Sequence, residues 1–174
     1  MKYLVKFVVV TFLVLISTYT FAEQKIVVLD MKFVLNNSKA GKGAQDFLKK
    51  SINDNQKKFL EMENNLKKEE NDLLTKKTVL SKEEYTKKTD TLRKKVIDFQ
   101  SQRRSAIDKI ATQRAQAREE LMKKIEPIID TYIRENNISL VMDKKSMVGG
   151  LTEYDITKII IEKLNKELPS LNLK

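Results

Sequence analysis

Apolar residues crowd the two ends of the chain and thin to isolated, regularly spaced positions between them. The run KIVVLD (residues 25–30) is β-branched and bounded by charge, which predicts a buried strand. A second run, ISLVMD (residues 138–143), has the same character, and residues 146–150 are expected to add a short third strand after a Lys144-Lys145 turn. Residues 38–44 (SKAGKGA) read as a turn entering a helix. From Ala44 to Leu74 there is no Gly or Pro, and Ile52, Phe59, Leu66, Leu73 and Leu80 recur every seven residues. The companion seam is broken: Leu48 and Met62 are apolar, but Asn55, Glu69 and Lys76 are polar. This is the narrow stripe of a coiled-coil-like helix. Ser81, with Glu84 three residues on, is a capping box that starts a new helix. That helix carries Tyr85, Leu92, Val96, Phe99, Ala106, Ile110, Ala117, Leu121, Ile125, Ile128 and Tyr132, mostly at steps of three, four or seven, and Pro127 predicts a bend near its end. Thr152, with Asp155 three residues on, is expected to open a last helix whose apolar face is Ile156, Ile159, Ile160 and Leu164.

Two long helices joined by a short turn form an antiparallel hairpin. About 36 residues outward at 1.5 Å each make an arm of roughly 50 Å. The β segments flank the whole hairpin in sequence, so they pair most simply with one another. The expected fold is α+β and mostly helical. A small β body is built from residues 23–43 and 128–174, and residues 44–127 form the helical hairpin arm. Such a subunit buries little. Beyond residue 22 the only Phe residues are Phe33, Phe47, Phe59 and Phe99. Ordering the backbone costs about 1–2 kcal/mol per residue, which demands a larger core. Association of copies through the β body would supply it and remove exposed sheet edges.

Residues 1–22 read as an address. Lys2 and Lys6 precede an apolar stretch from Phe7 to Ile16, and Ala22 is the expected cleavage point. This is the three-part pattern of a secretory signal. The alternative is an uncleaved anchor, but spanning hydrocarbon takes about 20 apolar residues. The expected fate of the chain is export.

Composition narrows the chemistry. The chain has no Cys and no His, so thiol nucleophiles, disulfides, serine–histidine arrangements and the usual zinc and copper sites are excluded. Gly41-Lys42-Gly43 fails the phosphate-loop spacing: Asn36 stands where the first Gly belongs, and Gly43 follows the Lys instead of Ser or Thr. Asp30 and Asp143 close the two strands; paired carboxylates can do acid–base work, but polar residues ending strands more often make turn contacts. No catalytic residue, cofactor or metal is expected. Charge is distributed unevenly. Residues 49–124 hold 21 Lys+Arg and 13 Asp+Glu, a net +8, while residues 125–174 hold 7 and 8. One reading is a solvated helix face that keeps an arm soluble. The other is a surface that attracts an anionic partner.

The order of parts resembles the Skp/OmpH family of periplasmic chaperones. The matching pieces are Ile26-Val-Val-Leu-Asp-Met31, Ser38-Lys-Ala-Gly-Lys42, the Lys-rich hairpin, and Leu140-Val-Met-Asp143 before a helix containing Asp155-Ile-Thr. The resemblance covers essentially all of the chain after residue 22. It implies a homotrimer with a small intersubunit β-barrel and three helical tentacles around a cavity. It also implies an ATP-independent holdase for unfolded outer-membrane proteins, with lipopolysaccharide or an anionic membrane surface as further contacts.

A holdase needs many weak contacts rather than one tight pocket. Candidate contact residues on the arm are Met62, Leu74, Val79, Leu80 and Tyr85, with Lys76, Lys77, Lys82, Lys87 and Lys88 around them. Packing inside the hairpin is the competing role for the apolar five. A competing function is a basic coiled coil that docks on lipopolysaccharide or lipid. Nucleic acid is not an expected partner, because no aromatic-basic platform is seen.

Overall fold

The computed structural model describes residues 24–173, together with Tyr3. The leader and cleavage reading falls outside the described residues. Strand β1 (Lys25–Leu29) pairs in parallel with β2 (Ile138–Asp143), with Val27 opposite Val141 and Leu29 opposite Asp143. The whole helical hairpin lies between the two strands in sequence, as a parallel crossover permits.

Asp30 closes β1 and caps α1 (Met31–Asn37), its carboxylate accepting from the Phe33 N–H at 2.7 Å. Asp143 accepts from the Lys145 N–H at 3.0 Å. Both carboxylates thus serve as turn caps. Helix α2 runs Lys39–Thr75 and begins earlier than expected, with Gly41 and Gly43 inside it. Two partners fix its start. The fully buried Ser38 hydroxyl accepts from the Gly41 N–H at 3.1 Å, and the Asn165 side chain, remote in sequence, accepts from the Lys39 N–H at 2.6 Å. Gly41 is required there for close approach, since a Cβ would collide with the Leu35 carbonyl oxygen.

Helix α3 (Lys82–Glu135) opens with the capping box read from the sequence. The Ser81 hydroxyl accepts from the Glu84 N–H at 3.2 Å, and the Glu84 carboxylate accepts from the Ser81 N–H at 3.1 Å. At 37 and 54 residues, α2 and α3 are about 55 and 80 Å long, so the return helix runs on past the start of the outgoing one. Helix α3 continues through Pro127. Asn137 then takes a left-handed backbone (φ 52°) that turns the chain into β2.

The expected third strand does not form. After β2 comes a 3₁₀ turn (Lys144–Ser146), then irregular backbone in which Val148 is wholly exposed, then a second 3₁₀ turn (Thr152–Tyr154). Gly149 and Gly150 give this segment little to pack into a sheet. Its end is held instead by the Ile156 N–H, which donates to the Val28 carbonyl at 2.9 Å on the β1 edge away from β2. Helix α4 therefore runs Thr157–Glu167 rather than starting at Thr152. Asp155 lies just ahead of it, accepting from the Thr157 N–H at 2.9 Å and from Lys144 Nζ at 2.6 Å. Buried Thr157 accepts in turn from the Asp30 N–H at 2.9 Å, tying α4 to the end of β1.

The hydrophobic core gathers Val27 and Leu29 of β1, Val34 and Leu35 of α1, Leu121, Ile125 and Ile128 of α3, Ile138 of β2, and Ile160 and Leu164 of α4. It is confined to one end of the molecule. No residue between Leu48 and Gln113 is buried. The fold is α+β and mostly helical, with a small β-containing base from which two helices extend.

Candidate functional site

The helices beyond the core are held by one narrow contact. Phe59 and Phe99 meet edge to face at its middle, with ring centres 6.0 Å apart and planes at 75°. Leu66, Leu73 and Leu80 from the outgoing heptad and Leu92, Ala106 and Ile110 from the return helix are half-buried. A two-helix contact covers one stripe on each helix and leaves the remaining surface open.

The two open faces of this hairpin differ. On one, polar side chains bridge the helices: Lys95 Nζ lies 2.6 Å from the Glu69 carboxylate, and Lys58 Nζ donates to the Gln102 side chain at 3.3 Å. Near the bend this face has a depression of about 540 Å³ lined by Lys76, Lys87, Lys88 and Lys95 with Glu69, Asp72 and Glu84. Three of the five lysines singled out from the sequence come together there. Lys77 and Lys82 are exposed but do not line it. The Ser81 hydroxyl, then the Ser81 N–H, hold the Glu84 carboxyl below its ordinary range, so the acid at this helix start stays charged.

The apolar candidates divide. Leu74 and Val79 are exposed, at 57% and 78%, and meet the requirement for contact with another molecule. Met62, Leu80 and Tyr85 are half-buried and partly taken up by helix pairing. Sequence reasoning missed Leu60, Ile97 and Ile107, which are more exposed than half. Each follows directly on a seam residue (Phe59, Val96 and Ala106), so the heptad reading passes over it. The signal was present as adjacent apolar pairs in an otherwise polar stretch. These residues sit on the second face, where Glu63 bonds Lys67 at 2.7 Å. That bond, with Arg103 adding to it across the groove, holds the Glu63 carboxyl below its ordinary range.

Among the described residues no cluster of three or more carboxylates stands ready for a metal ion, and no helix is long and apolar enough to cross a membrane.

Comparison with known proteins fits this geometry. Residues 25–164 match the family model of OmpH-like outer membrane proteins, a span that takes in β1, both long helices, β2 and most of α4. The chain belongs to the OmpH-like family. A Skp-like protein of Pseudomonas aeruginosa is 25% identical over 170 residues, covering 95% of this chain and 99% of that one. The crystal structure of an OmpH-like protein from Caulobacter crescentus, assigned there as an outer membrane chaperone, superposes with a TM-score of 0.81. It covers 91% of this chain and 94% of its own at 17% identity, so the likeness is one of fold. With the core confined to one end, the hairpin is an arm carried by the base.

Proposed function

We propose that this protein is an ATP-independent periplasmic holdase. It binds unfolded outer-membrane β-barrel proteins between helical arms, prevents their aggregation and assists their delivery to the outer membrane. In this reading residues 1–22 are an export signal cleaved near Ala22. Residues 23–43 and 128–174 are the oligomerisation body, and residues 44–127 are the arm. The chain acts as a homotrimer, through an intersubunit β-barrel, without cofactor or catalysis.

The observation that carries the reading is the stretch of about sixty arm residues without a single buried side chain, in which Leu60, Leu74, Val79, Ile97 and Ile107 are more than half exposed. A soluble arm gains nothing in stability from such residues. They suit weak, repeated contact with an unfolded chain, whose release needs no energy source. The net +8 on residues 49–124 adds attraction for acidic clients. The base supports association in its own way: Ile26, Leu140, Met142, Val148 and Leu151 stay exposed on and beside a sheet of only two strands, which is marginal without further cover.

The test is light scattering after dilution of a urea-unfolded outer-membrane β-barrel into buffer. Suppressed aggregation is expected with this protein in several-fold excess, and unchanged aggregation rejects the reading. A second reading is favoured by the lysines at the bend: a basic coiled coil that docks on lipopolysaccharide or anionic lipid. Such a protein would bind vesicles and leave aggregation of the barrel untouched.

A further inference from the structure

The two open flanks of the arm differ in what crosses them. Taken at 100° per residue, Glu69 and Lys58 on α2 and Lys95 and Gln102 on α3 all fall on the same flank of the seam, where they bridge the helices at 2.6 and 3.3 Å. Leu60, Ile97 and Ile107 fall on the opposite flank, with exposures of 59, 63 and 59%. There the groove runs unbroken. A segment at the base of the arm shares Ile52 with a middle segment, which shares Glu63 and Phe99 with one nearer the bend. Their volumes are about 610, 540 and 640 Å³.

We infer that this grooved face is the client-binding face of the arm, and that its occupant is one extended segment of an unfolded β-barrel membrane protein. The inference rests on the holdase reading. Three features select the occupant. The first is length. Gly41 to Glu70 mark the ends of the groove on α2, 29 residues apart and so about 43 Å. An extended chain rising about 3.3 Å per residue fills that with about 13 residues. A membrane-spanning β-strand takes about 9–11, so the groove holds one with its flanking residues. The second is pattern. The groove offers a single apolar floor open to solvent above. A strand with alternating apolar and polar side chains can lay one face on it and leave the other wet. The third is charge. The groove is lined by six basic residues, among them Lys49, Lys67 and Arg93, against the three acids Asp46, Glu63 and Glu70. Acidic residues bordering the bound segment are therefore favoured. The bridged face is crossed by polar bridges, and in its depression near the bend Leu73 and Leu92 lie among seven charged side chains.

Site-directed photocrosslinking of the full chain to a urea-unfolded outer-membrane β-barrel tests this. A photoreactive residue is placed at Leu60, Ile97 or Ile107, and for comparison at Asn65, Ser105 or Lys109 on the bridged flank. Aggregation is followed by light scattering in the same samples. The expected result is client adducts at least fivefold stronger from the grooved flank, with proteolytic mapping placing them within strand-length segments. The triple variant L60S/I97S/I107S should keep its helical circular dichroism, because all three side chains are exposed, and should need several-fold more protein for equal protection. Equal or stronger adducts from the bridged flank, with aggregation still suppressed, would overturn this face assignment and leave the holdase reading standing. Adducts joining copies of this chain from the grooved flank without client would also overturn it, since the groove would then be an arm–arm contact. Unsuppressed aggregation by the unsubstituted protein would bring down both.

Discussion

Phe59 and Phe99 face each other across the hairpin at 6.0 Å, and they are the sole Phe pair along its seam. The contact fixes which turn of α2 lies beside which turn of α3, and so sets the register of both open faces. Edge-to-face aromatic pairs contribute about 0.5–1.5 kcal/mol beyond their area. A double-mutant cycle on Phe59→Leu and Phe99→Leu, from urea unfolding at fixed protein concentration, should return a coupling energy in that range. Hydrogen exchange should speed up first at residues 55–66 and 95–106. Additive effects would mean that register is set elsewhere.

Gly41 and Gly43 are two residues apart in α2 with opposite surroundings. A Cβ at Gly41 meets the Leu35 carbonyl and lies 2.9 Å from the Ser38 hydroxyl, whereas a Cβ at Gly43 meets nothing within 4 Å. Gly41→Ala should destabilise by on the order of 1–3 kcal/mol, as forced overpacking does. Gly43→Ala should stabilise by about 0.5–1 kcal/mol through helix propensity alone. Thermal melts of the two variants, read against the parent, check both signs.

Asp155 connects the loop after β2 to the start of α4. Burial pushes its carboxyl up, but the Lys144 ammonium and the Thr157 hydroxyl and N–H outweigh that and hold it below the ordinary range. A carboxyl with a depressed folded-state pKa stabilises the native state above its unfolded pKa, and that contribution disappears as pH falls through the folded pKa. The stability that Asp155 provides should therefore be complete at pH 7 and lost below the ordinary aspartate range. Asp155→Asn should cost on the order of 1–2 kcal/mol at pH 7, as loss of hydrogen bonds to a charged group does, and nearly nothing at pH 2–3. Urea midpoints of parent and variant across that pH range should converge on the acid side.

Reversing Lys76, Lys77, Lys87 and Lys88 to Glu removes the net +8 of residues 49–124. All four are exposed, so helical content should not change. Capture of an unfolded β-barrel should weaken several-fold at low salt yet remain detectable, and the difference from the parent should shrink as salt screens the arm. Total loss of capture would assign the binding to charge rather than to the apolar groove.

Much of this architecture was legible in the order of residues. The strands at 25–29 and 138–143, the capping box at Ser81 and Glu84, and the heptad through Phe59 and Leu66 are local signals, each readable within about ten residues. The readings that failed share a cause. The start of α2 at Lys39 depends on Asn165, 126 positions away. In place of the third strand, residues 146–150 run between two points held elsewhere, Lys144 on Asp155 and Ile156 on the Val28 carbonyl. No window of local sequence contains those partners. Leu60, Ile97 and Ile107 were overlooked for a different reason: a seven-residue repeat identifies the stripe that pairs two helices and is silent about apolar residues beside it.

By itself the sequence determined that there would be two long, basic helices in a hairpin with short β segments at their ends, because periodicity, capping and charge act through near neighbours. Only the tertiary structure decided that β1 and β2 pair in parallel at the base, that α4 packs on α1 and α3 beside them, and that the arm has one bridged and one grooved face. Sidedness arises when the Phe59–Phe99 contact fixes the rotation of each helix about its own axis. The heptad stripe marks which side of each helix turns to its partner, but which residues of α2 then meet which residues of α3 depends on how the two surfaces align, and no single helix carries that information.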